Sequence, residues 1–305
     1  MKPNFTLGWL MIALLWCATP HAQITLTDDT GATLVLEKPA RRIVSLAPHI
    51  TESLFAVGAG EKIIATVSYS DYPAAAETIP RIGAYDRINR ESLIALEPDL
   101  VVAWVSGNGL AVIEHLRKLG LPVYATEPRR LDDIPDTLRA LARLAGTDKN
   151  GNRAATDFET RLSALRRNDA RENPVTVFYQ VWNKPLLTLN GDHLISDVIA
   201  LCGGTNIFGN AAPLVPSVNV ESVLRANPGV IIASGMGEER PEWVDAWRRW
   251  PSLAAVRDDQ LYFIPPSLLQ RHSTRILDGA ERMCRYLDRA RHTDATGRSN
   301  EYDDD

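Results

Sequence analysis

The sequence predicts an α/β protein of two lobes, each built on a central, mainly parallel sheet, with one long helix joining them. Three observations lead there. Residues Glu91 to Ala103 and Glu221 to Ala233 repeat one pattern: Glu-Ser, a short helix, a proline, then an unbroken apolar strand. Strands that are apolar without alternation are buried on both faces, as in a parallel sheet between helical layers. Helices and strands then alternate in the βαβ manner on both sides of residues 147–171, where no Ser/Gly linker intervenes. Chance likeness of two βαβ units is the competing account of the repeat.

Residues 1–22 read as a signal peptide: Met1-Lys2, an apolar run from Leu7 to Ala18, and small residues ending at Ala22. The run is shorter than the roughly 20 residues a spanning helix needs. Cleavage after Ala22 exports the chain; an uncleaved anchor is the alternative. Cys17 leaves with the signal, so Cys202 and Cys284 remain in an oxidising compartment, either paired or as two buried thiols.

The first lobe, 23–146, opens with a hairpin over Ile24 to Leu36 that turns at Asp28 to Gly31. Strands follow at Ile43 to Leu46, Lys62 to Thr66, Leu100 to Trp104 and Val123-Tyr124, with helices at Thr51 to Val57, from Glu91, and at Leu110 to Leu119. Gly146 stops a helix, and Thr147 or Asp148 caps the joining helix. Its Ala155, Phe158, Leu162 and Leu165 share one face at three- and four-residue spacing. A stiff spine of this kind allows only small motion between lobes. The second lobe, 172–291, has strands at Val175 to Val181, Val230 to Ala233 and Leu261 to Ile264. Its helices lie at Ile195, at Glu221 and from Ser273 to Arg289. Residues 292–305, ending in three aspartates, read as a disordered acidic tail.

Net charge is −5 and no basic block occurs, which argues against nucleic acid or an anionic membrane as partner. No GxSxG, P-loop, HExxH or strand-linked GxGxxG motif is present, so an exported hydrolase lacks a nucleophile with its base. An interaction domain without a small ligand is the bland alternative. His49, His193 and His272 read as capping or surface residues, with approach to an axial metal position on a ligand as the alternative, and no metal site of the protein itself is expected.

Ligands of open α/β sheets bind beyond the carboxyl ends of the strands. Those positions hold Pro48-His49, Tyr69, Trp104 with Gly107-Asn108-Gly109, Trp182, Ser234-Gly235-Met236 and the stretch from Pro265 to Arg271. Such an aromatic rim with few charges suits a bulky, planar, partly apolar ligand.

The motifs Arg42 to Pro48 with Thr51-Glu52, Ser68-Tyr69-Ser70-Asp71-Tyr72-Pro73, Glu97 to Trp104 and Cys202 to Phe208 are familiar together. They resemble the helical-backbone substrate-binding proteins of metal-chelate ABC importers, and within them the cobalamin-binding branch. The resemblance implies a non-enzymatic, monomeric periplasmic carrier that takes cobalamin or a related corrinoid as transported ligand, not cofactor. Its partner would be an inner-membrane ABC permease dimer. It implies ligand contacts at Tyr69, Trp104 and Arg271, with Tyr85 at a position where the branch has tryptophan. Leu187, Val215 and Leu268 stand at positions that are aromatic in the branch, a loss for which Trp182 could compensate. It also implies a Cys202–Cys284 disulfide, and permease docking through Glu91 and Glu221. A haem or ferric-siderophore carrier of the same importer family is the alternative ligand class. Siderophore sites favour several Arg or Lys, of which the strand ends are short.

Overall fold

The computed structural model describes residues 23–167, 173–235 and 237–299. The signal segment 1–22, residues 168–172 around the expected end of the spine, Met236, and the tail from 300 to 305 lie outside the described residues.

Two four-stranded parallel sheets form the lobes. In the first, β1 (Ile43–Ser45), β2 (Ile63–Ala65), β3 (Leu100–Trp104) and β4 (Val123–Thr126) are ordered β2-β1-β3-β4. In the second, β5 (Val175–Gln180), β6 (Gly204–Asn206), β7 (Val230–Ala233) and β8 (Leu261–Phe263) are ordered β6-β5-β7-β8. The strand order is the same in both lobes, so the repeat read from sequence is a repeat of topology. Register places Ile43 beside Leu100 in one sheet and Val177 beside Val230 in the other.

Alternate residues of β3 and β7 enter different cores, as continuous apolarity requires. Leu100, Val102, Val230 and Ile232 face one core that runs through both lobes and includes Ala155, Phe158 and Leu162 of the joining helix. Val101 and Ala103 face an outer core with Ile113 and Leu116, while Ile231 and Ala233 face another with Phe178 and Trp247. The lobes are therefore welded along the helix by shared apolar burial rather than tied by a strand.

That helix spans Asp148–Arg166, 19 residues or about 28 Å. It packs closely on helix Asp133–Ala145 because Gly151 lacks a side chain: a Cβ there would lie 2.1 Å from the Cβ of Ala142. Gly146, at φ 67°, turns the chain between the two helices.

The last helix runs Ile276–Ser299, so residues 292–299 are helical where the sequence suggested a disordered tail. Just before that stretch the Arg291 guanidinium donates to the carbonyls of Asn173, Cys202 and Gly203 and anchors the helix to the second lobe. Cys202 and Cys284 are bonded to each other, closing 82 residues and joining this helix to helix Leu194–Leu201.

Candidate functional site

In both lobes the strand order reverses at the first and third strands, which places a crevice beyond β1 and β3 and a second beyond β5 and β7. The two crevices face each other between the lobes.

Trp104 ends β3 and is the centre of the first rim. Its backbone N–H donates to Oδ1 of Asn108, while Nδ2 of Asn108 donates to the carbonyls of Leu46 and Tyr85. One buried amide thus binds the ends of β1 and β3 to the loop carrying Tyr85, whose ring lies 5.8 Å from Trp104. Gly107 makes room for the indole: a Cβ there would fall 1.8 Å from its Cε3. Tyr69 stands 60% exposed at φ 66°. Its loop is held by hydroxyls, Ser45 to Thr51 to Thr66 to Ser70, all buried. Ser68 N–H also donates to the carbonyl of Gly83, two residues before Tyr85.

The second rim is a hairpin, Trp182–Asn183 against Leu186–Leu187, backed by the loop around Val215. Trp182 Nε1 donates to the carbonyl of Lys184 within that hairpin. Val215 is exposed, whereas Leu268 is buried.

Arg271 projects from the second lobe to the first, where it donates to Glu52 and Asp71. Arg275 and the Ser273 hydroxyl meet the same Glu52 carboxylate, and the Arg275 guanidinium lies 4.0 Å from the centre of the Tyr72 ring. Burial works against the Asp71 carboxylate, but the hydrogen bonds and charge of Arg271 outweigh it and hold the group below its usual range. Sequence reasoning placed Arg271 in the site but missed its carboxylate partners, since pairing between residues so distant in the chain leaves no local pattern.

Three imidazoles fill the space between the lobes. His272 lies 5.5 Å from both His49 and His193, and Trp104 lies 5.1 Å from His49 and 5.9 Å from His272. His193 caps helix Leu194–Leu201 through Nδ1, as its sequence position suggests. His49 and His272 are neither caps nor surface residues; both are buried. The facing lobe covers them, which no single-lobe pattern reveals. Burial, then the Arg271 charge, pushes His49 down to about 3; burial, then Arg129, pushes His193 down to about 4. His272 falls well below its ordinary value through burial and the other two imidazoles.

The cavity beside these rings, lined by Ser106, Glu127, Arg129, His193 and His272, measures about 10 Å³. That is room for one water at most. A bulky ligand enters only if the rims part.

Glu91 and Glu221 occupy equivalent, exposed places in the first turns of helices Arg90–Ala95 and Val220–Ala226. The repeat extends to their caps: Asn89 accepts from Ser92 N–H, and Asn219 from Ser222 N–H. Each glutamate directly follows a rim segment, the Tyr85 loop in one lobe and the Val215 loop in the other.

Comparison with known proteins agrees with this architecture. The chain is 39% identical over 279 residues to a vitamin B12-binding protein of Vibrio cholerae, covering 91% of this chain and 98% of that protein. A vitamin B12-binding protein of Vibrio parahaemolyticus is 34% identical over 82% of this chain and 90% of its own length. The crystal structure of the periplasmic vitamin B12 binding protein of Vibrio cholerae superposes with a TM-score of 0.77 at 40% identity, covering 83% of this chain and 98% of that one. A periplasmic heme-binding protein from Roseiflexus gives 0.73 at 25% identity, over 82% and 99%. The periplasmic binding protein family model matches residues 43–268, the span that holds both sheets, the joining helix and both rims, and the chain belongs to that family.

Proposed function

We propose that the protein captures cobalamin or a close corrinoid in the periplasm, reached through a cleaved signal peptide, and delivers it to an inner-membrane ABC permease. The observation that carries the reading is near-full-length identity of 39% with a vitamin B12-binding protein, in a chain whose strand ends carry an aromatic rim. Tyr69, Tyr85 and Trp104 form the platform of the first lobe, and Trp182 adds an indole from the second. Arg271 offers donors to the polar side groups of a corrin once it leaves Glu52 and Asp71. Stacking surface and a few aimed donors suit a planar macrocycle that carries amides at its edge.

Docking to the permease is assigned to Glu91 and Glu221. Two carboxylates at equivalent places on two stiffly joined lobes match a two-fold partner that presents guanidinium groups.

A haem carrier is the second reading, favoured by the Roseiflexus heme-binding protein, though its 25% identity is well below that of the corrinoid relatives. Calorimetric titration with cyanocobalamin, cobinamide, haemin and a hydroxamate siderophore separates the two. The corrinoids should bind; binding of haemin or the siderophore alone would reassign the ligand. Turnover of an ester panel would remove the carrier class itself.

A further inference from the structure

Two imidazole nitrogens at the lobe interface lack a hydrogen-bond partner: Nε2 of His49 and Nδ1 of His272. These side chains belong to residues only 4% and 5% exposed, one from each lobe, with ring centroids 5.5 Å apart. An orphan buried nitrogen costs about 1–3 kcal/mol, and a carbon ring would fill the same space without that penalty. Orphans of this kind mark a place that another group completes.

The position is the one a ligand would reach. His49 follows β1 and opens helix Pro48–Ala56, while His272 follows β8 by way of helix Pro266–Leu269. Both rings contact the Trp104 indole, so they stand beside the stacking platform. Arg271, next in chain to His272, reaches across the same interface to Glu52, and the His193 ring lies 5.5 Å from His272. A neutral imidazole keeps one bare lone pair, which is what a metal needs.

A free metal ion does not fit the pair. Among the described residues no group of three or more His, Cys, Asp or Glu could hold one. Two imidazoles suit instead a metal whose equatorial positions a macrocycle already fills, leaving axial positions open to nitrogen ligands.

The geometry points to His49 and His272 as axial ligands, one from each lobe, for the cobalt of a corrinoid whose axial positions carry exchangeable water. Cobinamide is such a ligand, as is cobalamin with its nucleotide base detached. The inference rests on the corrinoid reading above. In the ligation step the imidazole lone pair replaces a water on Co(III), the water leaves, and neither the oxidation state nor the protonation of the ring changes. His193 is committed to its helix cap and braces His272 from the side.

The test uses diaquocobinamide and the full exported protein. On binding, the visible spectrum should move from the aquo form to the imidazole-ligated form. His49→Phe and His272→Phe together should retain the aquo spectrum and weaken cobinamide binding by about tenfold or more. Cyanocobalamin, whose axial positions are already occupied, should lose far less. Should the variants fail to fold, wild-type protein suffices. Bound Co(II) cobinamide should show nitrogen hyperfine splitting in its paramagnetic resonance spectrum, and the splitting should change when histidine carries the heavy nitrogen isotope. Calorimetric binding with an unshifted aquo spectrum, or splitting indifferent to the label, would overturn the ligation and leave the carrier reading intact. Failure of both corrinoids to bind would overturn both.

Discussion

Glu52 of the first lobe accepts a hydrogen bond from Arg271 of the second at 2.9 Å, 219 residues away in the chain. Glu52 is almost wholly buried, and Arg275 and Ser273 complete its shell. This carboxylate is where the two rims hold each other in the closed arrangement. The same arginine is the donor assigned to the ligand, so capture must exchange one set of partners for another.

Replacing Glu52 by Gln keeps the shape and removes the charge, leaving the Arg275 guanidinium without its carboxylate and Arg271 with Asp71 alone. Breaking a buried pair from one side costs about 3–5 kcal/mol, and here the value should sit at the low end because Asp71 still holds Arg271. Thermal melting should show the loss, and small-angle scattering should show a larger radius. A variant with unchanged melting and unchanged radius would remove Glu52 from the closure.

Trp104→Ala should weaken corrinoid binding by about 1–3 kcal/mol, the scale of one buried aromatic. Trp250→Ala, at the outer core of the second lobe beside Trp247, should leave affinity unchanged. Equal titration curves for the two variants would take Trp104 out of the site.

How much of this was readable before the structure follows from where each signal lives. Strands β3 and β7 and the face Ala155, Phe158, Leu162 are local patterns, and they appear where periodicity put them. Strand β6, Gly204–Asn206, was missed because it is short, polar and pairs only with β5 at the sheet edge. Trp104 stands at the strand end where the sequence put it. The Glu52–Arg271 pair and the buried state of His49 and His272 depend on one lobe covering the other, and no window of sequence contains both sides. Asn108 carries no motif; its role comes from three backbone groups that only the fold assembles.

Removal of the disulfide should lower stability without touching the rims. Chain entropy values a bridge across 82 residues at roughly 4–5 kcal/mol, an upper figure for Cys202→Ser. Reductant should lower the wild-type melting temperature similarly, whereas ready alkylation of both cysteines in exported protein without reductant would contradict the pairing.

Stability should fall on mild acidification. His49 is held at about 3, His193 at about 4, and His272 is also lowered, while in the unfolded chain all three titrate near 6.5. Below 6.5 the unfolded state therefore binds protons that the folded state refuses. Each imidazole should contribute up to about 1.4 kcal/mol of lost stability per pH unit from about pH 6.5 downward. The three folded-state values lie lower still, so the loss should continue to about pH 4. Denaturant midpoints measured from about pH 7.5 to about pH 5 would show it, and a flat profile would mean the rings reach solvent.

The paired glutamates test delivery separately from capture. Each carboxylate sits in a helix's first turn, where the macrodipole alone favours it by about 0.3–1 kcal/mol. That local benefit explains one glutamate at either place, but it does not explain why both lobes expose one beside their rims. The proposed docking would, because a two-fold partner needs two equivalent contacts, one on each of the lobes joined through Asp148–Arg166. Exposed ion pairs at a partner surface act mainly on association rate and weaken with salt. Glu91→Ala with Glu221→Ala should therefore leave folding and corrinoid affinity nearly unchanged while slowing uptake by reconstituted transporter, most strongly at low ionic strength. Unchanged uptake would leave only the dipole account, and a large drop in ligand affinity would move both residues from the docking face into the cleft.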